Sequence, residues 1–169
     1  MVRKLCATLT ALLSLATFNG ALAHGSDNPS QDVRSLQGPY IAIKPPVLLS
    51  AGIDVGTYAG ESMAYGFTAD IDSYVVMATV FAGPYVRFYN GNSFYFQSAL
   101  GIGSNSRYRK LLSAELHGTI GNEWLFDSGF IIGGEWIGIK MAKSIEGGET
   151  FSDKFVIPTL PKLRIGYSW

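Results

Sequence analysis

The chain has 169 residues, with 13 basic and 13 acidic side chains and no net formal charge, which argues against electrostatic capture of nucleic acid. Only 15% of residues are charged, while Gly (20), Tyr (9) and Phe (10) are plentiful; this disfavours a soluble helical domain and suits a sheet with apolar surroundings. Cys6, the only cysteine, lies close to the N-terminus, so the bulk of the chain offers no disulfide, thiolate nucleophile or Cys-ligated metal.

Residues 1–23 read as a secretory signal peptide. Arg3 and Lys4 form a positive start, an apolar run extends from Leu5 to Phe18, and Ala21-Leu22-Ala23 supplies a small-x-small site before His24. The run falls short of the roughly 20 residues that a bilayer-spanning helix needs. Cys6 precedes the run rather than following it, which does not fit a lipoprotein. Residues 24–38 are polar and without hydrophobic period, and are expected as a flexible lead-in. Residues 39–169 are expected as one barrel domain.

From Pro39 onward the recurring signal is period-two alternation broken by turn residues, not helical periodicity. A short strand over 39–45 ends at Pro45-Pro46. Residues 47–58 set Leu49, Ala51, Ile53 and Val55 against Ser50, Gly52, Asp54 and Gly56, and residues 62–72 set Met63, Tyr65, Phe67 and Ile71 against Gly66, Thr68 and Asp70. The plainest hairpin joins 77–88 to 93–103 through Tyr89-Asn90-Gly91-Asn92, since Asn-Gly tolerates positive φ at both positions. Its first arm sets Val80, Pro84, Val86 and Phe88 against Thr79, Gly83, Tyr85 and Arg87. The next pair sets Leu112, Leu116, Ile120 and Trp124 against Ser113, Glu115, His117, Thr119 and Glu123. After a turn at 126–129, Phe130, Ile132 and Trp136 oppose Glu135. The last segment, 156–169, sets Ile157, Leu163, Ile165, Tyr167 and Trp169 against Lys162, Arg164, Gly166 and Ser168. The expected fold is an all-β, antiparallel up-and-down transmembrane β-barrel of about eight strands.

One face is rich in Phe, Val, Ile and Leu; the other carries small residues and isolated charges, which suits a narrow polar lumen. Aromatics near strand ends (Tyr58, Phe88, Tyr89, Trp124, Phe126, Tyr167 and Trp169) are expected at headgroup level. Short turns near 59–62, 89–92 and 125–128 would be periplasmic. Links near 72–75, 104–109 and 143–155 would face outward.

The chain ends LRIGYSW. This resembles the C-terminal signal by which bacterial outer-membrane barrels are recognised by their assembly machinery, and it implies that Leu163, Ile165, Gly166, Tyr167 and Trp169 form the recognised strand. The pattern over 39–169 is similar to small eight-stranded outer-membrane proteins of the OmpX and OmpA-domain type. NSFYFQSALGIG and IGNEWLFDSGFIIGGEWIGI are similar to a family of small bacterial outer-membrane proteins that brings a fold and a location but no activity. The resemblance implies an outer-membrane location; the expected partners are outer-membrane lipid and lipopolysaccharide, and the expected state is a monomer.

With the polar face inward, Asp54, Asp70, Arg87, Glu115, His117, Glu123, Glu135, Lys162 and Arg164 form the expected lumen charge network. Its plain reading is a charge-paired plug. A narrow ion path with rings of charge is the alternative. A lipid A deacylase-like enzyme would draw on His117, Ser113 and Glu115, but the residue two after His117 is threonine and the group would face the lumen. No cofactor motif and no metal-ligand set is present, so neither is expected. The functional expectation is a structural or surface-interaction protein with no evident chemistry.

Overall fold

Among the described residues, nine strands form a single antiparallel sheet that closes on itself. The computed structural model describes residues 29–46, 49–74, 77–91, 93–105, 112–145 and 154–169. The strands are β1 (Pro39–Lys44), β2 (Ser50–Tyr58), β3 (Met63–Tyr74), β4 (Met77–Asn90), β5 (Phe94–Asn105), β6 (Leu112–Leu125), β7 (Phe130–Ser144), β8 (Lys154–Pro158) and β9 (Lys162–Ser168). From β1 to β7 each pairs with the next in chain order. β7 then pairs with β9 along its first half and with β8 along its second, and β9 pairs back to β1. β8 and β9 are therefore two pieces of one wall strand, and the ring has eight positions.

Pro158 and Pro161 bracket the break in that strand, because neither can donate to a ladder. Thr159 N–H still donates to the Gly138 carbonyl at 2.9 Å, which holds the break against β7. The break also resets the alternation. Ile157 is buried, on the same side as Lys162 and Arg164, and not with Leu163 and Ile165 as one uninterrupted strand would require. A second reset lies in β7: Ile120 pairs with Ile137 and Gly121 with Glu135, leaving Trp136 as the extra residue of a β-bulge. Trp136 and Ile137 both face outward as a result, and Lys140 is carried to the interior.

Three short links, between β2 and β3, β4 and β5, and β6 and β7, gather at one end of the ring, here the turn end. Gly91 and Gly129 hold φ of 68° and 84°, the left-handed values these hairpins need. The opposite, loop end carries the connections after β1, β3, β5 and β7. Much of those connections, together with residues 1–28 and the signal peptide expected within them, lies outside the described residues.

Within the segment expected as a flexible lead-in there is a helix. Residues Pro29–Leu36 form a helix, α1, with proline at its first position and Asp32 in its first turn, both favoured there. A polar octamer gains little from helix propensity alone, and what stabilises it is docking: Val33 and Arg34 are buried against the turn end.

Candidate functional site

Burial inside the ring falls mainly on polar residues. The buried acids are Asp54, Asp70, Asp72, Glu115, Glu123 and Glu135; the buried bases are Arg34, Lys44, Arg87, Lys140, Lys162 and Arg164. All nine residues of the sequence-predicted network are among these buried groups, His117 included. Lys44, Asp72 and Lys140 join them although the expected network did not include them: Lys44 ends a short strand, Asp72 stands where the expected strand runs into a link, and Lys140 follows the bulge.

The turn half is built from arginines and tyrosines. Arg87 meets Glu123 Oε2 at 2.8 Å and Asp54 Oδ2 at 3.1 Å, and its Nε donates to Gln97 Oε1 at 3.0 Å. Arg164 pairs with the same two carboxylates, reaching Asp54 Oδ2 at 2.9 Å. Tyr58 and Tyr89 both donate to Glu123 Oε1, at 2.7 and 2.5 Å. The Tyr40 and Tyr85 hydroxyls bond to each other, and the Arg87 guanidinium lies 4.4 Å from the Tyr95 ring centre. The wall makes room for these rings with glycine. A Cβ on Gly56 would meet the Tyr85 hydroxyl at 2.5 Å, and one on Gly121 would meet the Tyr95 ring at 2.6 Å. Tyr58 and Tyr89 thus point inward rather than to a headgroup zone, whereas Phe88, Trp124, Phe126, Tyr167 and Trp169 are exposed on the outside.

Arg34 of α1 closes this half. It donates to the Glu61 carbonyl at 2.8 Å and the Gly91 carbonyl at 2.7 Å, and stacks 4.1 Å from the Tyr89 ring centre. Burial draws its pKa below the ordinary arginine value, yet a guanidinium stays charged at physiological pH.

The loop half uses lysines. Lys44 Nζ meets Asp54 at 2.9 Å, Asp70 at 3.1 Å and Glu135 at 2.9 Å; Lys162 meets Asp72 at 3.2 Å and Asp70 at 3.3 Å; Lys140 pairs with Asp72 and donates to Thr79 Oγ1 at 3.2 Å. Ser50 also donates to Asp72, at 2.6 Å. Asp54 joins the halves, since it meets Lys44, Arg87 and Arg164.

Ser113, Glu115 and His117 lie together in the loop half, in an order that does not activate a serine. Ser113 Oγ donates to Glu115 Oε1 at 2.8 Å, and His117 Nε2 meets Glu115 Oε2 at 2.8 Å. The carboxylate sits between hydroxyl and imidazole, whereas nucleophilic catalysis needs the imidazole on the hydroxyl. The imidazole instead stacks on Phe81 at 3.6 Å. Among the described residues no group of three His, Cys, Asp or Glu side chains is placed to hold a metal ion.

No protein-family model matches the chain, and neither does any curated protein or solved structure. The arrangement itself is a neutralised network. Each buried carboxylate other than Glu115 has a lysine or arginine nitrogen within 3.2 Å, so little charge is left over to hand an ion along the axis. Chemically it can brace the wall from within, because breaking one buried pair strands its partner in a poorly solvated interior.

Proposed function

We propose that this chain is a transmembrane β-barrel of a bacterial outer membrane, with a structural or surface-interaction role. The observation that carries the reading is an inversion of polarity. Ile41, Ile53, Val55, Phe67, Val80, Val86, Leu100, Ile102, Ile132, Ile139 and Ile165 are exposed around the ring, while acids and bases lie inside it. Among the strand residues whose exposure is described, Lys143 near the loop-end rim is the one charged side chain that is exposed. A soluble barrel distributes polarity the other way, with apolar side chains inside and polar ones in water. Each strand from β3 to β7 has 12 or more residues, above the roughly 9–11 that a tilted strand needs to cross a bilayer. Exposed aromatics crowd the turn end (Phe94, Trp124, Phe126, Phe130 and Trp169), which suits one interface and would place that end in the periplasm.

On this reading the partners are outer-membrane lipid, lipopolysaccharide and the barrel assembly machinery, the last through the Leu163–Trp169 end, and the barrel works as a monomer. The test is fractionation of cells expressing the full chain, followed by electrophoresis of boiled and unboiled samples. Recovery with outer membranes and a heat-dependent change in mobility are expected. A soluble periplasmic product without that change would sink the reading.

A further inference from the structure

An up-and-down ring has one junction that no turn or loop closes, and here it lies between β1 and β9, the first and last strands described. Its ladder joins Tyr40–Ile43 to Ile165–Ser168. The residues leading into β1 carry the pairing further. Gly38 N–H donates to the Trp169 carbonyl at 3.3 Å, and the Pro39 carbonyl accepts from Trp169 N–H and from the Ser168 hydroxyl, both at 3.1 Å.

The same residues are the hinge of α1, and the hinge has no slack. Gln37 N–H donates to the Val33 carbonyl at 3.0 Å, which continues the helical bonding. The next residue, Gly38, is already in the sheet: its carbonyl accepts from Tyr58 N–H at 3.1 Å on one side, and Trp169 lies on the other. Where α1 sits therefore fixes where β1 begins. Arg34 holds the Glu61 carbonyl, in the β2–β3 link beside β1, and the Gly91 carbonyl, in the β4–β5 link. The helix also lies against β6. In a ring of eight positions the β4–β5 link stands nearly opposite β1, so α1 runs across the mouth and not along its rim. To part from β9, β1 has to swing away from the axis, which carries Gly38 outward and pulls Arg34 off the far wall. A planar guanidinium with donors on two separate links and its face on Tyr89 resists that displacement better than a single flexible contact.

We propose that α1 is a strut that keeps the ring closed at its one unlinked junction: docked, it holds the start of β1 against the C-terminal end of β9. With α1 undocked the ladder still forms but opens more often, and each opening exposes the backbone of Ile165–Trp169 as a free strand edge. The strut acts on the closed ring whatever surrounds it, so its test is separate from that of the outer-membrane reading.

The full chain, purified from the fraction that holds it, is compared with Arg34→Ala by hydrogen–deuterium exchange. Amides in 39–44 and 162–169 should exchange severalfold faster in the variant, while those in 94–105, in the middle of the wall, should not change. Arg34→Lys keeps the charge but loses the fork; it should fall between the two, and it carries the comparison if Arg34→Ala does not fold. A disulfide joining Ile41→Cys to Tyr167→Cys, partners across the junction, is formed after folding in a chain that also carries Cys6→Ser. It should return both segments to slow exchange in Arg34→Ala, although α1 stays undocked and open to protease. An unchanged junction, whether or not α1 is released, overturns the proposal. So does an equal rise in all three segments, which is what a general loss of stability gives, or fast exchange that persists in the cross-linked chain. A chain recovered as a soluble protein would remove the membrane reading and leave this comparison standing.

Discussion

At the turn end, Arg87, Arg164 and a set of tyrosines surround Glu123 and Asp54; at the loop end, Lys44, Lys140 and Lys162 share Asp70, Asp72 and Glu135 with serine and threonine hydroxyls. Both halves bury charge, and both neutralise it. They differ in how much else they fill. Tyrosine rings occupy the cross-section and accept guanidinium groups on their faces, while a lysine is a point charge on a flexible stem that covers little area. The turn half is therefore a packed seal, completed by Arg34 from outside the sheet. The loop half is held chiefly by ion pairs. The contrast teaches that balancing charge and filling space are separate tasks, assigned here to different residue types at different ends.

The largest effect should come from the seal. Glu123→Ala leaves Arg87 and Arg164 with Asp54 as their one shared carboxylate and two tyrosine hydroxyls without an acceptor, and should cost about 3–5 kcal/mol in denaturant unfolding. A loss below about 1 kcal/mol would mean that the seal does not depend on its charge pairing. Lys140→Met should cost less, about 2 kcal/mol, because Asp72 keeps Lys162 and Ser50. If the lysine variant proved the more damaging, the contrast between the halves would be reversed.

Arg34→Ala removes two charged hydrogen bonds and a stacking contact and should free α1, with the barrel otherwise intact, at about 1–3 kcal/mol. Limited proteolysis would show it as faster cleavage within 29–38 while heat-dependent mobility persists; unchanged cleavage would deny the cap its anchor. Trp169→Ser, at an exposed site, should barely alter unfolding but should lower the yield of assembled barrel. Normal yield would remove the C-terminal signal from the account. The smallest expected effect is none: His117→Ala should leave the mass spectrum of extracted lipid A unchanged, and a shift that depends on His117 would reinstate an enzyme.

Much of this molecule can be read from alternation. Period two along β4, β5 and β6 separates Arg87, Glu115, His117 and Glu123 from Val86, Leu116 and Trp124, because successive side chains on a strand must point to opposite faces. Asn90-Gly91 marks its hairpin for the same local reason, a backbone conformation that few residues tolerate. Alternation fails wherever something interrupts the strand. The bulge at Trp136 carries Lys140 inward, and the break at 159–161 carries Ile157 inward, and each shift depends on which residue the neighbouring strand can pair. Which acid meets which base was equally hidden. Asp54 and Arg164 lie 110 positions apart and meet only because the ring closes β9 onto β1. The helix at 29–36 was hidden for the same reason: two isolated apolar residues, Val33 and Leu36, make no extended hydrophobic period, and Arg34 finds its carbonyls only after two hairpins have been brought to one end. Local sequence determined which face each residue of an unbroken strand would take, since that is a matter of backbone geometry. Closure of the ring decided the partners, because pairing of buried charges is a property of what is brought near in space.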